Sequence, residues 1–283
     1  MRLHLAGAVI ATAFLALAHP PAARAQTLAA DYRLQDTLAS SVGAIGPLTP
    51  VGGVGGVTFM TDTVDAKMQR VLNIQVIGMP PTTTDSGVRT QTNPFVDSSN
   101  YSIVLLANFN LNQSAIVATK IFDFKNLSGD AGLYVQSNTG TLAFIDNSGV
   151  LQNAPGGAAL SSLMYAQIVL ARDGVTNLVS VYQDGTLAFS FTDTNGLAIL
   201  GDATMTGNSF LTLFKDDGTG LAGGMVNEGT QGNLARLRFY NGVLSAQQVA
   251  GLDRAIPEPS TWALLVLGLA AALYVTRLKR AVS

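Results

Sequence analysis

The chain has no cysteine, so it can form no disulfide, offer no thiol nucleophile and bind no metal through sulfur. Its only histidines, His4 and His19, sit close to the N-terminus, and its only glutamates are Glu228 and Glu258. The interior of the chain therefore lacks an imidazole to activate a serine, which excludes a Ser-His-Asp hydrolase. Retaining glycosidases need two carboxyl groups about 5–5.5 Å apart, one of them held protonated. No apolar run here carries alternating acids, and Glu228 is flanked by Asn227 and Gly229, so a catalytic carboxylate pair would have to come from aspartates on separate loops. Charge is sparse, at 12 % of residues, and tryptophan occurs once, as Trp262.

The apolar residues, by contrast, are concentrated at the two ends. After Arg2 comes an apolar run from Leu5 to Ala18, and then Ala23-Arg24-Ala25. Small residues at Ala23 and Ala25 suit signal peptidase, which places the cut before Gln26 and makes 1–25 a signal peptide. An apolar core of about 14 residues is too short to stay as a membrane anchor.

At the other end, Pro257-Glu258-Pro259 cannot continue a helix or a central strand and makes an extended, exposed joint. An uncharged run from Ala263 to Val275 follows, broken only by Gly268 among its aliphatics, and predicts a membrane helix at about 261–276. Arg277, Lys279 and Arg280 then stop translocation and stay on the cytoplasmic side. This order of proline joint, apolar helix and basic end closely resembles the PEP-CTERM sorting signal of Gram-negative bacteria. The resemblance implies an exosortase as the processing partner. It also implies an exported protein held transiently in the inner membrane by residues 256–283, then passed to the cell surface or released.

Between the ends, residues 26–255 carry eleven Lys and Arg against seventeen Asp and Glu, a net charge of −6. That balance gives no basic footprint for nucleic acid. Eleven short runs rich in β-branched and aromatic residues stand at 57–59, 71–77, 101–109, 115–124, 132–135, 142–145, 165–171, 178–182, 187–191, 210–214 and 234–240. Gly, Asn, Asp, Ser and Pro clusters separate them, the punctuation of sheets joined by turns, and the class is all-β. Gly52-Gly53 and Gly55-Gly56 mark a long turn, and 80–94 reads as a surface loop. Asp184-Gly185 is a tight hairpin turn, with Leu187, Phe189 and Phe191 following on one face. Phe122 and Phe124 likewise share a face. Such aromatics can stack on sugars, but filling the space between two sheets is the simpler use. Ser245-Ala246-Gln247-Gln248 fits a capping box and predicts a short helix contacting the domain through Val249 and Leu252.

The ending Phe239-Tyr240-Asn241 with Leu244-Ser245 resembles the close of LamG-like, concanavalin A-like jelly-roll domains. So do the paired strands around 165–174 and 181–185 and the early strand at 101–105. The resemblance covers about 31–252 and implies a jelly-roll sandwich. Met164-Tyr165 stands where the family often has tryptophan, an altered core position.

Two further sites suggest themselves. Asp216 and Asp217, with Asn227 and Glu228 about ten residues on, supply hard oxygen ligands that suit calcium, though not at EF-hand spacing. Arg236 and Arg238 alternate with Leu237 and share a face, either as an anion site or as solvated residues on an edge strand. The whole reads as an exported, non-catalytic surface or extracellular-matrix protein that binds exopolysaccharide through one face. A glycan hydrolase on the same fold and a membrane-retained adhesion module are the alternatives.

Overall fold

The computed structural model describes residues 26–53, 55–75, 85–111, 118–136, 138–152, 156–200, 210–216 and 229–254. Two antiparallel sheets face each other. The larger contains β1 (Thr27–Tyr32), β3 (Val57–Val64), β4 (Lys67–Ile74), β6 (Tyr101–Phe109), β10 (Ala166–Arg172), β11 (Leu178–Gln183), β12 (Thr186–Thr192) and β14 (Gly232–Asn241). Its order is β12-β11-β10-β6-β14-β4-β3, with β1 also on β14. The smaller runs β2 (Thr49–Gly52), β5 (Ser86–Gln91), β13 (Phe210–Leu213), β7 (Ala118–Asp123), β8 (Gly132–Gln136) and β9 (Leu142–Ile145), in that spatial order.

Alternation along the strands puts one side chain in two between the sheets. Ile103, Leu105 and Ala107 of β6 meet Leu234, Leu237 and Phe239 of β14 and Leu211 and Leu213 of β13 in one core. Phe122, Phe124, Phe144, Phe189 and Phe191 join it, linked ring to ring at centroid distances from 4.9 to 6.5 Å. Phe122, Phe124, Phe144 and Phe189 are buried core, as expected, and not open for stacking on a sugar, while Phe191 is partly buried against them. In the β11–β12 hairpin the register shifts after Val181, pairing Tyr182 with Leu187. That shift takes Leu187 off the face of Phe189 and leaves it exposed, against the alternation expected from the sequence.

Three strands were not legible in the sequence. β5 lies inside the segment read as a surface loop, and it is largely buried between β2 and β13. β1 is interrupted by Asp31, and β2 ends on Gly52, at φ 97. The helix α1 (Ala246–Ala250) forms as expected. Ser245 accepts the Gln248 N–H while the Gln248 side chain accepts the Ser245 N–H. Val249 and Leu252 pack with Val104, Val169, Tyr182, Tyr240 and Leu244 on the outer face of the larger sheet.

β14 is the best-covered strand of its sheet. β6 pairs with it along one edge, while β4 takes the first part of the other edge and β1 the rest. This overturns the edge reading of Arg236 and Arg238, which are only 7 % and 5 % exposed. Arg236 is held by Asp31 of β1, with Nε donating to Oδ1 at 2.7 Å and Nη2 to Oδ2 at 3.0 Å. Arg238 Nη2 donates to the Asp253 carbonyl at 3.0 Å. An internal carboxylate and a main-chain carbonyl occupy these guanidiniums, so the anion-site reading is replaced by a structural one.

Candidate functional site

β4 pairs with β14 only through Leu72, Asn73 and Ile74. The rest of the β3–β4 hairpin bends over the outer face of the larger sheet, where Val64 and Val71 pack on Leu106, Ala235 and Tyr165. In the angle so formed lies a polar row. Asn73, Asn233 and Asn108 stand abreast on β4, β14 and β6. Asn73 Nδ2 donates to Asn233 Oδ1 at 2.7 Å, and the Asn233 N–H donates to Asn108 Oδ1 at 2.8 Å. Asp62 of β3 reaches across to gather them. Its Oδ2 accepts from Asn233 Nδ2 at 2.7 Å, from the Tyr165 hydroxyl at 2.8 Å and from Asn108 Nδ2 at 3.3 Å. Burial first, and then the Asp62 carboxylate, push the Tyr165 hydroxyl well above its ordinary range, so it stays a donor. Tyr165 thus belongs to an outer-face network rather than to an altered core position, and Met164 beside it is exposed.

Nothing in the spacing of residues announces this row, because three asparagines scattered along the chain become neighbours only through strand register. Asn108 and Asn233 are buried beneath the row, while Asp62, Asn73 and Tyr165 are half-buried and present a carboxylate, an amide and a hydroxyl to solvent, groups that sugar hydroxyls match.

The smaller sheet holds a cluster of a different kind. Lys120, Asp123 and Asp216 have side chains that are all 0 % exposed. Lys120 Nζ lies 3.2 Å from Asp123 Oδ2 and 3.1 Å from Asp216 Oδ1, donates to the Gly129 carbonyl at 3.3 Å, and sits 5.4 Å from the centre of the Tyr134 ring. Asp123 Oδ1 accepts the N–H groups of Lys125 and Leu127. Burial raises its pKa, outweighing the opposing pull of Lys120 and of these hydrogen bonds. Beside it, Asp85 accepts from Lys215 Nζ at 2.8 Å and from the Asp216 N–H at 2.7 Å.

Of the four residues expected to hold calcium, Asp216 is thus in contact with an internal ammonium. Asp217, Asn227 and Glu228 lie outside the described residues. No three acidic side chains converge as a metal-binding group among the described residues.

Gln26, expected to follow the signal-peptide cut, begins β1's approach to β14, and its Nε2 donates to the Val243 carbonyl at 2.6 Å. Ala23 and Ala25 fall outside the described residues, as do Pro257, Glu258, Pro259, Arg277, Lys279 and Arg280. No helix among the described residues is long and apolar enough to cross a membrane, and the stretch expected to do so, about 261–276, is not among them. The chain reaches its sorting end under restraint. Arg254 donates to Asp65 in the β3–β4 turn, to Asp184 in the β11–β12 turn and to the Tyr165 carbonyl. The last described residue is therefore tied down next to the Asp62–Tyr165 row.

Solved structures of the same shape are known. Domain 4 of AbnA, a GH43 extracellular arabinanase from Geobacillus stearothermophilus, in complex with arabinotriose, is 19 % identical with a TM-score of 0.54, matching 80 % of this chain and 98 % of that one. The binding domain of botulinum neurotoxin DC, in complex with rat synaptotagmin II, is 10 % identical with a TM-score of 0.52, matching 82 % of this chain and about half, 52 %, of that one. Among curated proteins none matches the chain. Residues 255–280 match the PEP-CTERM protein-sorting motif, which implies export, membrane anchoring before processing, and an exosortase as processing partner. Residues 82–250 match the family model of the concanavalin A-like lectin/glucanases superfamily, and the chain belongs to that superfamily.

Proposed function

We propose that this protein is a non-catalytic polysaccharide-binding module that works at the cell surface or in the extracellular matrix once an exosortase has processed its tail. The observation that carries the reading is the row of Asn73, Asn233 and Asn108 bound to Asp62 and Tyr165 on the outer face of the larger sheet. Its amides and carboxylate suit a hydroxyl-rich polymer. The arabinotriose held by the structurally similar arabinanase domain is consistent with this use of the fold. The non-catalytic reading is supported by the state of the two acids that share Lys120. Asp123 and Asp216 flank Lys120 with no exposure to solvent, where neither can reach a glycosidic bond.

Affinity electrophoresis of the purified protein through gels cast with neutral and acidic bacterial exopolysaccharides tests the reading. The wild type is retarded by at least one polymer, and Asn73→Ala, at a half-buried position, relieves the retardation while the variant remains folded at the assay temperature. Equal mobility of wild type and variant in every gel contradicts it. Release of reducing ends from any of these polymers contradicts the non-catalytic part.

A further inference from the structure

Two ion pairs in the described part of the molecule are sealed from water, Arg172–Asp193 and the Lys120 cluster. The first is chemically quiet, because a guanidinium stays protonated and is a poor nucleophile. The second places a primary amine against two carboxyl groups where water is excluded.

We propose that Lys120 and Asp216 condense after folding into an intramolecular isopeptide bond that ties β7 to the chain just after β13, with Asp123 as the proton carrier. Nζ lies 3.1 Å from Asp216 Oδ1, an oxygen bonded directly to the carboxyl carbon that it would attack, so the amine and its target are already neighbours. Both partners are pinned from behind. The Lys120 carbonyl accepts from Thr230 Oγ1 at 2.6 Å, and the Asp216 N–H is held by Asp85, itself held by Lys215. Pairing of Thr212 with Asp123 and Leu213 with Phe122 fixes the two strands next to each other.

The chemistry balances without any added reactant. Nζ gives one proton to Asp216, turning the ion pair into the amine and carboxylic acid that the condensation requires. Nζ then attacks the Asp216 carboxyl carbon, forming the C–N bond. Asp123 takes a second proton from the nitrogen and delivers it to the Asp216 hydroxyl. The C–O bond breaks, one water leaves, and Asp123 returns to its starting state. Burial raises the pKa of Asp123, which suits it to hold and pass on a proton. The Gly129 carbonyl accepts from Nζ at 3.3 Å and orients the amine, and exclusion of solvent disfavours hydrolysis of the product. With no cysteine in the chain, such a bond would be the domain's covalent brace.

Tryptic digestion and mass spectrometry of the denatured full-length protein decide the matter. The expected digest shows no cleavage after Lys120, because an acylated lysine is not a trypsin site. It also contains one branched species joining the Lys120 and Asp216 peptides, lighter than their sum by one water. Asp216→Asn is expected to give the same bond with loss of ammonia instead, Asp216→Ala to give none, and Asp123→Asn to slow formation by roughly a hundredfold. Cleavage after Lys120 with both wild-type peptides at full mass overturns the proposal, and it does so whether or not any variant folds. A link to Asp123 in place of Asp216 overturns the assignment of the acyl partner.

Discussion

Asp31 faces Arg238 in register across β1 and β14, yet it is Arg236 that takes both oxygens of its carboxylate. Arg236 lies two residues from Arg238 along β14 and so is a diagonal neighbour of Asp31 on the same face, within reach of its long side chain. Arg33 donates to the same Oδ2 at 3.1 Å from the solvent side. The first strand of the domain is thereby bolted to the last by a two-pronged, nearly dry ion pair.

Removing one partner of that pair leaves a buried charge without compensation. Asp31→Ala is expected to lower unfolding free energy by about 3–5 kcal/mol, and an apolar replacement of both residues, Asp31→Leu with Arg236→Met, to recover much of the loss. Urea unfolding of the three proteins checks this. A double variant no more stable than Asp31→Ala contradicts it.

The same carboxylate gives a pH signature. Burial works to raise the Asp31 pKa, but hydrogen bonding and charge from Arg236, then from Arg33, outweigh it and set the group below the ordinary 3.8. The unfolded chain then binds the proton more readily. The contribution of Asp31 is present above 3.8 and is lost as pH falls toward the folded value. The stability gap between wild type and Asp31→Asn should therefore be widest near neutrality and narrow below pH 3.8. Comparing the two proteins cancels the opposite contribution of Asp123, whose raised pKa adds stability at low pH and loses it as pH rises. A constant gap across the acid range refutes the assignment.

Gly232 opens β14 where the strand crosses β6. A Cβ there would lie 2.1 Å from the Asn108 carbonyl oxygen, a backbone atom with nowhere to go. Gly232→Ala is expected to destabilise the domain by about 1–3 kcal/mol through forced displacement of the strand, read by thermal unfolding. An unchanged melting temperature speaks against the close approach.

At the end of the domain, Ser245→Ala removes the side-chain acceptor that caps α1 and should cost about 1 kcal/mol. Glycine at the same position should cost only a few tenths. Denaturant titration separates the two, and equal losses would mean that the hydroxyl does not cap the helix.

β6 was legible as an unbroken apolar run bounded by turn residues, and the β11–β12 hairpin by its alternation and its Asp184-Gly185 turn. So was the α1 cap, whose signal is local. β5 was hidden because Ser86, Gly87, Arg89 and Gln91 carry little β signal, and its burial comes from its two neighbours in the sheet. Arg236 and Arg238 were misread for a related reason. A charged residue in a strand reads as an edge marker unless its partner is known, and Asp31 lies at the other end of the domain. The Asn73–Asn233–Asn108 row and the Lys120 cluster depend on strand register and on residues far apart in the chain, which spacing along a single sequence does not encode. The sorting tail was the most readable stretch, because such a signal acts as a linear string.

The sorting tail and the proposed function together require this sandwich to reach the envelope with both ends removed. Mass spectrometry of the terminal peptides of the protein recovered from the cell envelope and culture medium measures this. The expected result is an N-terminus at Gln26 and a C-terminus at or near Pro257-Glu258-Pro259, with the apolar tail gone. A chain recovered from the cytosol with both ends intact would contradict it.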